Sequence, residues 1–132
     1  MERKNPIEEA KRYLQNAKDI LRDKAVKDGN SYTDSKYVKM AGDTAWKGCL
    51  IALDAVFHVR ESLPKGRRVS VEDYRDRVAR KDRKMLTCVV DGYNILHLYM
   101  GYDGIKSYPT CKDGIDHAER IIQWCEKCMP KG

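Results

Sequence analysis

From Asp34 to Glu61 the chain carries one uninterrupted helical pattern. Its innermost stripe, Tyr37, Ala41, Ala45, Gly48, Ala52, Ala55 and Val59, steps by three and four residues and is almost all small. Small side chains at that spacing let a second backbone come close, so the segment reads as the spine of a helical bundle. A second stripe, Trp46, Leu50, Leu53 and Phe57, lies roughly 100° around the same cylinder. Asp43, Lys47, Asp54, His58 and Glu61 are left for a narrow polar edge. A helix apolar over so much of its circumference belongs at the centre of a fold.

The flanking punctuation divides the rest of the chain. Asn5 as N-cap, Pro6 at the first helical position and Glu8 beyond them predict a helix that turns Ile7, Ala10, Leu14, Ala17 and Leu21 inward and ends near Asp28, Gly29 and Asn30. The central helix is expected to start at Thr33 or Asp34 and to stop between Ser62 and Gly66, where Pro64 and Gly66 make continuation costly. Ser70 to Asp73 opens a short, highly charged surface helix anchored by Val71, Tyr74 and Val78. A fourth helix is predicted from Arg83 to about Met100 through Leu86, Val89, Val90, Tyr93 and Leu96, with a break between Gly101 and Gly104. The last is expected to start around Asp113 and to face inward through Ile115, Ala118, Ile122, Cys125 and Met129. No segment alternates as a strand does, so the expectation is all-α, an up-and-down bundle of four to five helices without a sheet.

A chain of 132 residues is the ordinary size of a single domain, and residues 1–132 are read as one. With 42% hydrophobic and 35% charged residues it is too apolar and too periodic for a disordered chain. Residues Met1 to Pro6 lead directly into an amphipathic helix with no apolar signal core, and no apolar run is long enough to span a membrane, which points to the cytoplasm. Five cysteines, an odd number without framework spacing, are expected as reduced thiols.

Several residues together carry a family resemblance. Tyr13-Leu14 and Ala17 on the first helix are followed by Tyr32, Asp34, Lys36, Tyr37, Ala41-Gly42, Lys47-Gly48, Leu50 and Ala52-Leu53-Asp54, then by Tyr93 and Leu96-His97. The chain in this respect resembles a HEPN-type all-helical domain, and within it an uncharacterised bacterial family of that bundle. The resemblance covers nearly the whole chain and implies a bundle that commonly dimerises. It also implies a test, because ribonucleolytic HEPN domains carry an arginine, then four to six intervening residues, then a histidine, for metal-independent attack by the RNA 2′-hydroxyl. Neither His58 nor His97 has an arginine at that upstream distance, and His117 has only Lys112, which lacks the planar fork of arginine and is expected at or before the start of its helix. No catalytic residue is therefore assigned.

The remaining histidines have structural readings. His97 is expected beside an apolar face as a hydrogen-bonded core residue, and His58 at the negative end of the central helix dipole. Cys111, His117, Cys125 and Cys128 offer zinc-type donors, but Cys125 continues an inward stripe, so buried thiols and no metal or other cofactor are expected.

Between Arg60 and Lys84 ten basic residues face five acidic ones, which accounts for five of the formal net charge of +6. Arg67 and Arg68, in the turn after Pro64, are candidates to meet a nucleic acid or nucleotide, weakly, with i,i+4 pairs such as Asp73 with Arg77 and Asp76 with Arg80 as the alternative use of the charge. Tyr93, Tyr99, Tyr102 and Tyr108 crowd the end of the fourth helix and the loop after it; a cleft there would involve Tyr93, His97, Tyr102 and Asp103. Met40 and Ile51 on the otherwise polar edge of the central helix point to a homodimer. The functional expectation is a HEPN-like binding or interaction module without catalysis. The alternative is an RNA- or nucleotide-acting protein, either a divergent HEPN ribonuclease or the partner of a nucleotidyltransferase.

Overall fold

The computed structural model describes residues 5–130 of the chain and is mostly helical. The reading of the leader at residues 1–4 lies outside the described residues. Helix α1, Pro6–Ile20, starts where its local chemistry places it. Asn5 Oδ1 accepts the Ile7 N–H at 2.9 Å, Pro6 occupies the first turn, and Glu8 and Glu9 lie at the positive end of the dipole. Ile7, Ala10, Leu14 and Ala17 are buried. The helix then widens into one π-helical turn, Leu21–Ala25, and stops before Asp28.

A two-residue hairpin follows, β1 (Lys27–Asp28) against β2 (Ser31–Tyr32), with Gly29 at φ 63° in the turn. Ser31 is also bridged antiparallel to Ser107. This ladder corrects the expectation of no strand. Its members are too short to alternate visibly, and the second partner is remote in sequence.

Helix α2, Ser35–Phe57, is the spine, capped by Asp34, whose carboxylate accepts the Lys36 N–H at 3.0 Å. Ala41, Ala45, Gly48 and Ala52 are buried as the stripe requires, while Tyr37 and Ala55 are only half-buried. A methyl group on Gly48 would lie 3.0 Å from the Ala10 carbonyl oxygen and 3.1 Å from Tyr13 Cβ, so α1 occupies that seam. A second close approach runs through Gly42, outside the predicted stripe. The helix is not continuous to Glu61. His58 adopts a left-handed conformation, φ 51° and ψ 45°, and its N–H closes the helix on the Asp54 carbonyl at 2.8 Å. The single turn α3, Val59–Ser62, restarts with Val59 fully buried. Neither glycine nor proline marks this break; a left-handed His58 is what lets the chain turn Val59 into the core.

Helix α4, Val71–Lys81, begins with a reciprocal capping box between Ser70 and Asp73 and buries Tyr74 and Val78. Asp82 caps α5, Arg83–Gly92, which continues as a π-helical segment, Tyr93–Tyr102. Helix α6, Tyr108–Cys128, starts five residues before Asp113, with Ser107 as N-cap and Pro109 in the first turn. Proline there loses no helical hydrogen bond, so what reads as a loop former is a helix starter. Helices α1, α6 and the π-helical extension of α5 all pack on α2. Among the described residues no helix is long and apolar enough to cross a membrane.

Candidate functional site

Two irregularities of the backbone meet beside α1. The π-helical turn ends with the Val26 N–H on the Leu21 carbonyl at 3.2 Å, and Val26 itself has φ 56° and ψ 115°. A β-branched residue at positive φ is strained. Thr33 holds it there: its N–H reaches the Val26 carbonyl at 2.9 Å and its hydroxyl the Ala25 carbonyl at 2.7 Å. The same stretch fixes two tyrosines. Tyr32 N–H donates to Lys106 O at 2.8 Å and Tyr108 N–H to Asn30 O at 2.9 Å, so the hairpin and the start of α6 carry their rings to a centroid separation of 5.9 Å.

Between these parts lies a hollow of about 470 Å³, lined by Lys18, Leu21, Arg22, Val26, Lys27, Tyr32, Tyr108, Lys112 and Ile115. Leu21, Tyr32 and Ile115 form a buried floor, and Val26 stands 46% exposed at the mouth. The rim is basic but largely compensated. Lys18 lies 3.6 Å from Glu119, Arg22 lies 3.2 Å from Asp19 and 2.8 Å from Asp23, and Lys112 lies 3.2 Å from Asp116. Lys27 differs, with Nζ 3.9 Å from the Tyr108 ring centroid and no carboxylate partner among the described residues. Burial pushes the Tyr32 hydroxyl up to about 12, keeping it a neutral donor.

The tyrosine and histidine candidates fall elsewhere. Tyr93 and His97 do come together, stacked at 5.2 Å, with Trp46 edge-on to Tyr93 at 5.5 Å and the Arg75 guanidinium 5.2 Å from the same ring. His97 is exposed, however, with Nδ1 4.0 Å from Asp43 Oδ1, which corrects its reading as a core residue. The buried face of α5 and its extension runs through Cys88, Val89, Gly92, Ile95, Leu96 and Met100, so Tyr93 and His97 are turned to the edge. Tyr102 and Asp103, at the end of the extension, are exposed. Arg67 is engaged by Asp73 at 3.0 Å, and Arg68 is exposed. The Ser70 backbone N–H and hydroxyl, with Arg67, hold the Asp73 carboxyl below the usual carboxylate range. Arg77 reaches the Asp73 main-chain carbonyl at 2.9 Å and the Ser62 hydroxyl at 2.7 Å, not the Asp73 carboxylate as expected.

The family model described as "Domain of unknown function (DUF5618)" matches residues 5–127. The chain belongs to the DUF5618 family. A solved structure of a protein of unknown function from Dyadobacter fermentans is similar to this DUF5618 chain at 47% identity and a TM-score of 0.83, covering 92% of this chain and 93% of that one. No curated protein matches it.

The other polar groups of the DUF5618 domain are dispersed. His58 is exposed, 3.9 Å from Glu61. His117 is largely buried, with Nδ1 2.8 Å from the Asp113 carbonyl oxygen and Nε2 3.6 Å from Asp91, in a hollow of about 280 Å³ that Lys84, Cys88 and Arg120 also line. Lys112 lies inside α6, not before it, so it and His117 share one rigid helix. Cys111 and Cys125 occupy opposite ends of that helix, about 21 Å apart along its axis, so the predicted zinc-type donors do not converge. Burial pushes the Cys111 thiol up to about 11 and the Cys125 thiol up to about 12. Among the residues that line the hollow between Tyr32 and Tyr108, Val26 and Lys27 gave no sequence signal. Tyr108 did, as one of the tyrosines crowded around the loop, but its partner Tyr32 is 76 residues away.

Proposed function

We propose that this DUF5618 domain is a non-catalytic binding module of HEPN-like architecture, and that the hollow between Tyr32 and Tyr108 is its ligand seat. The observation that carries the reading is the strained Val26 at the mouth of an apolar cavity. Backbone strain of about 1–3 kcal/mol persists only where its surroundings enforce it, and it gathers at binding sites. A concavity with an apolar floor and a few placed polar groups is the usual form of a small-molecule site. The five thiols suit the cytoplasm, where they stay reduced.

The same reading includes a homodimer through the edge of α2. Met40 is 46% exposed, and Ile51, half-buried, lies on the same helical face about 16 Å further along the axis. Light scattering at micromolar concentration should give a dimer, which Ile51→Lys shifts toward monomer. A wild-type monomer refutes this part.

One observation favours an RNA-acting protein instead. His117, Asp91 and Arg120 share a hollow with Lys84, and Lys81 and Arg83 nearby in sequence are exposed. Arg120 follows His117 by three residues on α6, however, whereas the nuclease pattern has arginine upstream. Incubation of the pure protein with labelled RNA should show no metal-independent cleavage, and at most weak, salt-sensitive binding that Arg68→Ala with Lys84→Ala reduces similarly for unrelated sequences. RNA turnover that disappears in His117→Ala would establish the enzymatic reading in place of the binding one.

A further inference from the structure

We propose that the hollow between Tyr32 and Tyr108 takes an organic monoanion, a carboxylate or sulfonate on a flat aromatic body, with the body against the two tyrosine rings and the acid group on Lys27. This rests on reading that hollow as the ligand seat. Its charge decides the class. Of the four basic side chains on the rim, Lys18, Arg22 and Lys112 each have a carboxylate within 3.6 Å. Lys27 alone of the four has no such partner among the described residues. The rim as a whole is balanced, its four cations against Asp19, Asp23, Asp116 and Glu119, and of the four only the Lys27 ammonium is left without a carboxylate among the described residues and can meet an incoming acid group. A triphosphate or an RNA strand would bring several negative charges against Asp19, Asp23, Asp116 and Glu119, and like charges at that range repel.

Shape decides the body. The rings of Tyr32 and Tyr108 are inclined at 56° to one another, giving a floor and a wall. A flat aromatic group against one ring meets the edge of the other, the arrangement aromatic pairs prefer. Leu21, Val26 and Ile115 complete an apolar lining with no buried charge in it, in a cavity of about 470 Å³ that suits a body of one or two fused rings. Lys27 stands directly over Tyr108, so its ammonium meets an acid group without leaving the ring that positions it.

The probe is 8-anilinonaphthalene-1-sulfonate, titrated by fluorescence against the intact protein, with 2-naphthoate, neutral 2-naphthylmethanol and ATP as competitors. We expect one saturable site, displaced by 2-naphthoate in preference to the other two. Loss of a charge-assisted contact in Lys27→Gln should weaken it about tenfold, whereas Lys27→Arg and a change at the exposed Lys127 near the far end of α6, Lys127→Gln, should leave it near wild type. Lys27 is an exposed hairpin residue, so its replacement does not threaten the fold; Tyr108→Ala, which does, serves as a second variant once its melting is checked. Absence of a saturable site overturns both the ligand seat and its ligand. A saturable site that Tyr108→Ala weakens but that is displaced equally by 2-naphthylmethanol, displaced best by ATP, or unaffected by Lys27→Gln leaves the seat standing and overturns the monoanion.

Discussion

Gly42 and Met100 meet so closely across α2 and the α5 extension that a methyl group on the glycine would lie 2.6 Å from Met100 Cβ. It would also lie 2.5 Å from the Leu96 carbonyl oxygen. The obstacle is partly backbone and cannot move aside cheaply. Replacing a helical glycine by alanine gains about 1 kcal/mol of helix propensity, but overpacking costs about 1–3 kcal/mol or more. Gly42→Ala should therefore lower the melting temperature. Gly48→Ala, where the nearest atoms are at 3.0 and 3.1 Å, should be close to neutral because the two effects offset. A Gly42→Ala protein that melts at or above wild type would show that the helices are further apart.

His58 tests the break in the central helix. A left-handed conformation costs a non-glycine residue about 1–2 kcal/mol, partly offset in a glycine variant by about 0.5–1 kcal/mol of unfolded-chain entropy. The His58 ring lies 3.9 Å from Glu61 with both side chains exposed, an interaction of little weight. His58→Gly should accordingly raise stability by ~0.5–1 kcal/mol in urea unfolding. A reduced midpoint would mean that the imidazole contributes more than its geometry suggests.

Asp73 gives a pH dependence with a definite sign. Its carboxyl is held below the ordinary value of 3.8, first by the Ser70 backbone N–H, then by the Ser70 hydroxyl and Arg67. A group with a depressed folded-state pKa contributes stability above its unfolded value and loses it as pH falls through the folded one. The contribution is therefore present at neutral pH and fades below about pH 4. Asp73→Asn should be less stable at pH 7, and its deficit should shrink on acidification. A deficit independent of pH between 7 and 2 would assign the loss to packing alone.

What could be read from the sequence was what neighbouring residues decide between themselves. Asn5 with Pro6 is a cap whose partners lie within a turn and acts as expected, and Asp34, one of the two residues expected to start the central helix, caps it by an equally local bond. The small residues of α2 likewise announced a close approach. Gly42 escaped because the stripe was drawn for one neighbour, whereas α1, α6 and the π-helical extension of α5 all pack on the helix. The π-helical segment at Tyr93–Tyr102 defeated the reading of His97, because i→i+5 bonding adds a residue to each turn and the buried face drifts from its three-and-four spacing. The Arg67–Asp73 pair took one of the proposed nucleic-acid cations into a cap. The hollow was illegible for a simpler reason: Tyr32 and Tyr108 are joined by a ladder between distant segments, and no local pattern records it.

That ladder has a kinetic consequence. The Ser31–Ser107 bridge closes a loop that includes all of α2, α4 and α5, and the entropic cost of such closure falls on a late step of folding. The α1–α2 pair can assemble from near neighbours alone, but Tyr32 acquires its partner ring only when α6 docks. Any compound that occupies the space between them would select molecules that have completed this last docking, and would slow their unfolding more than it hastens their folding.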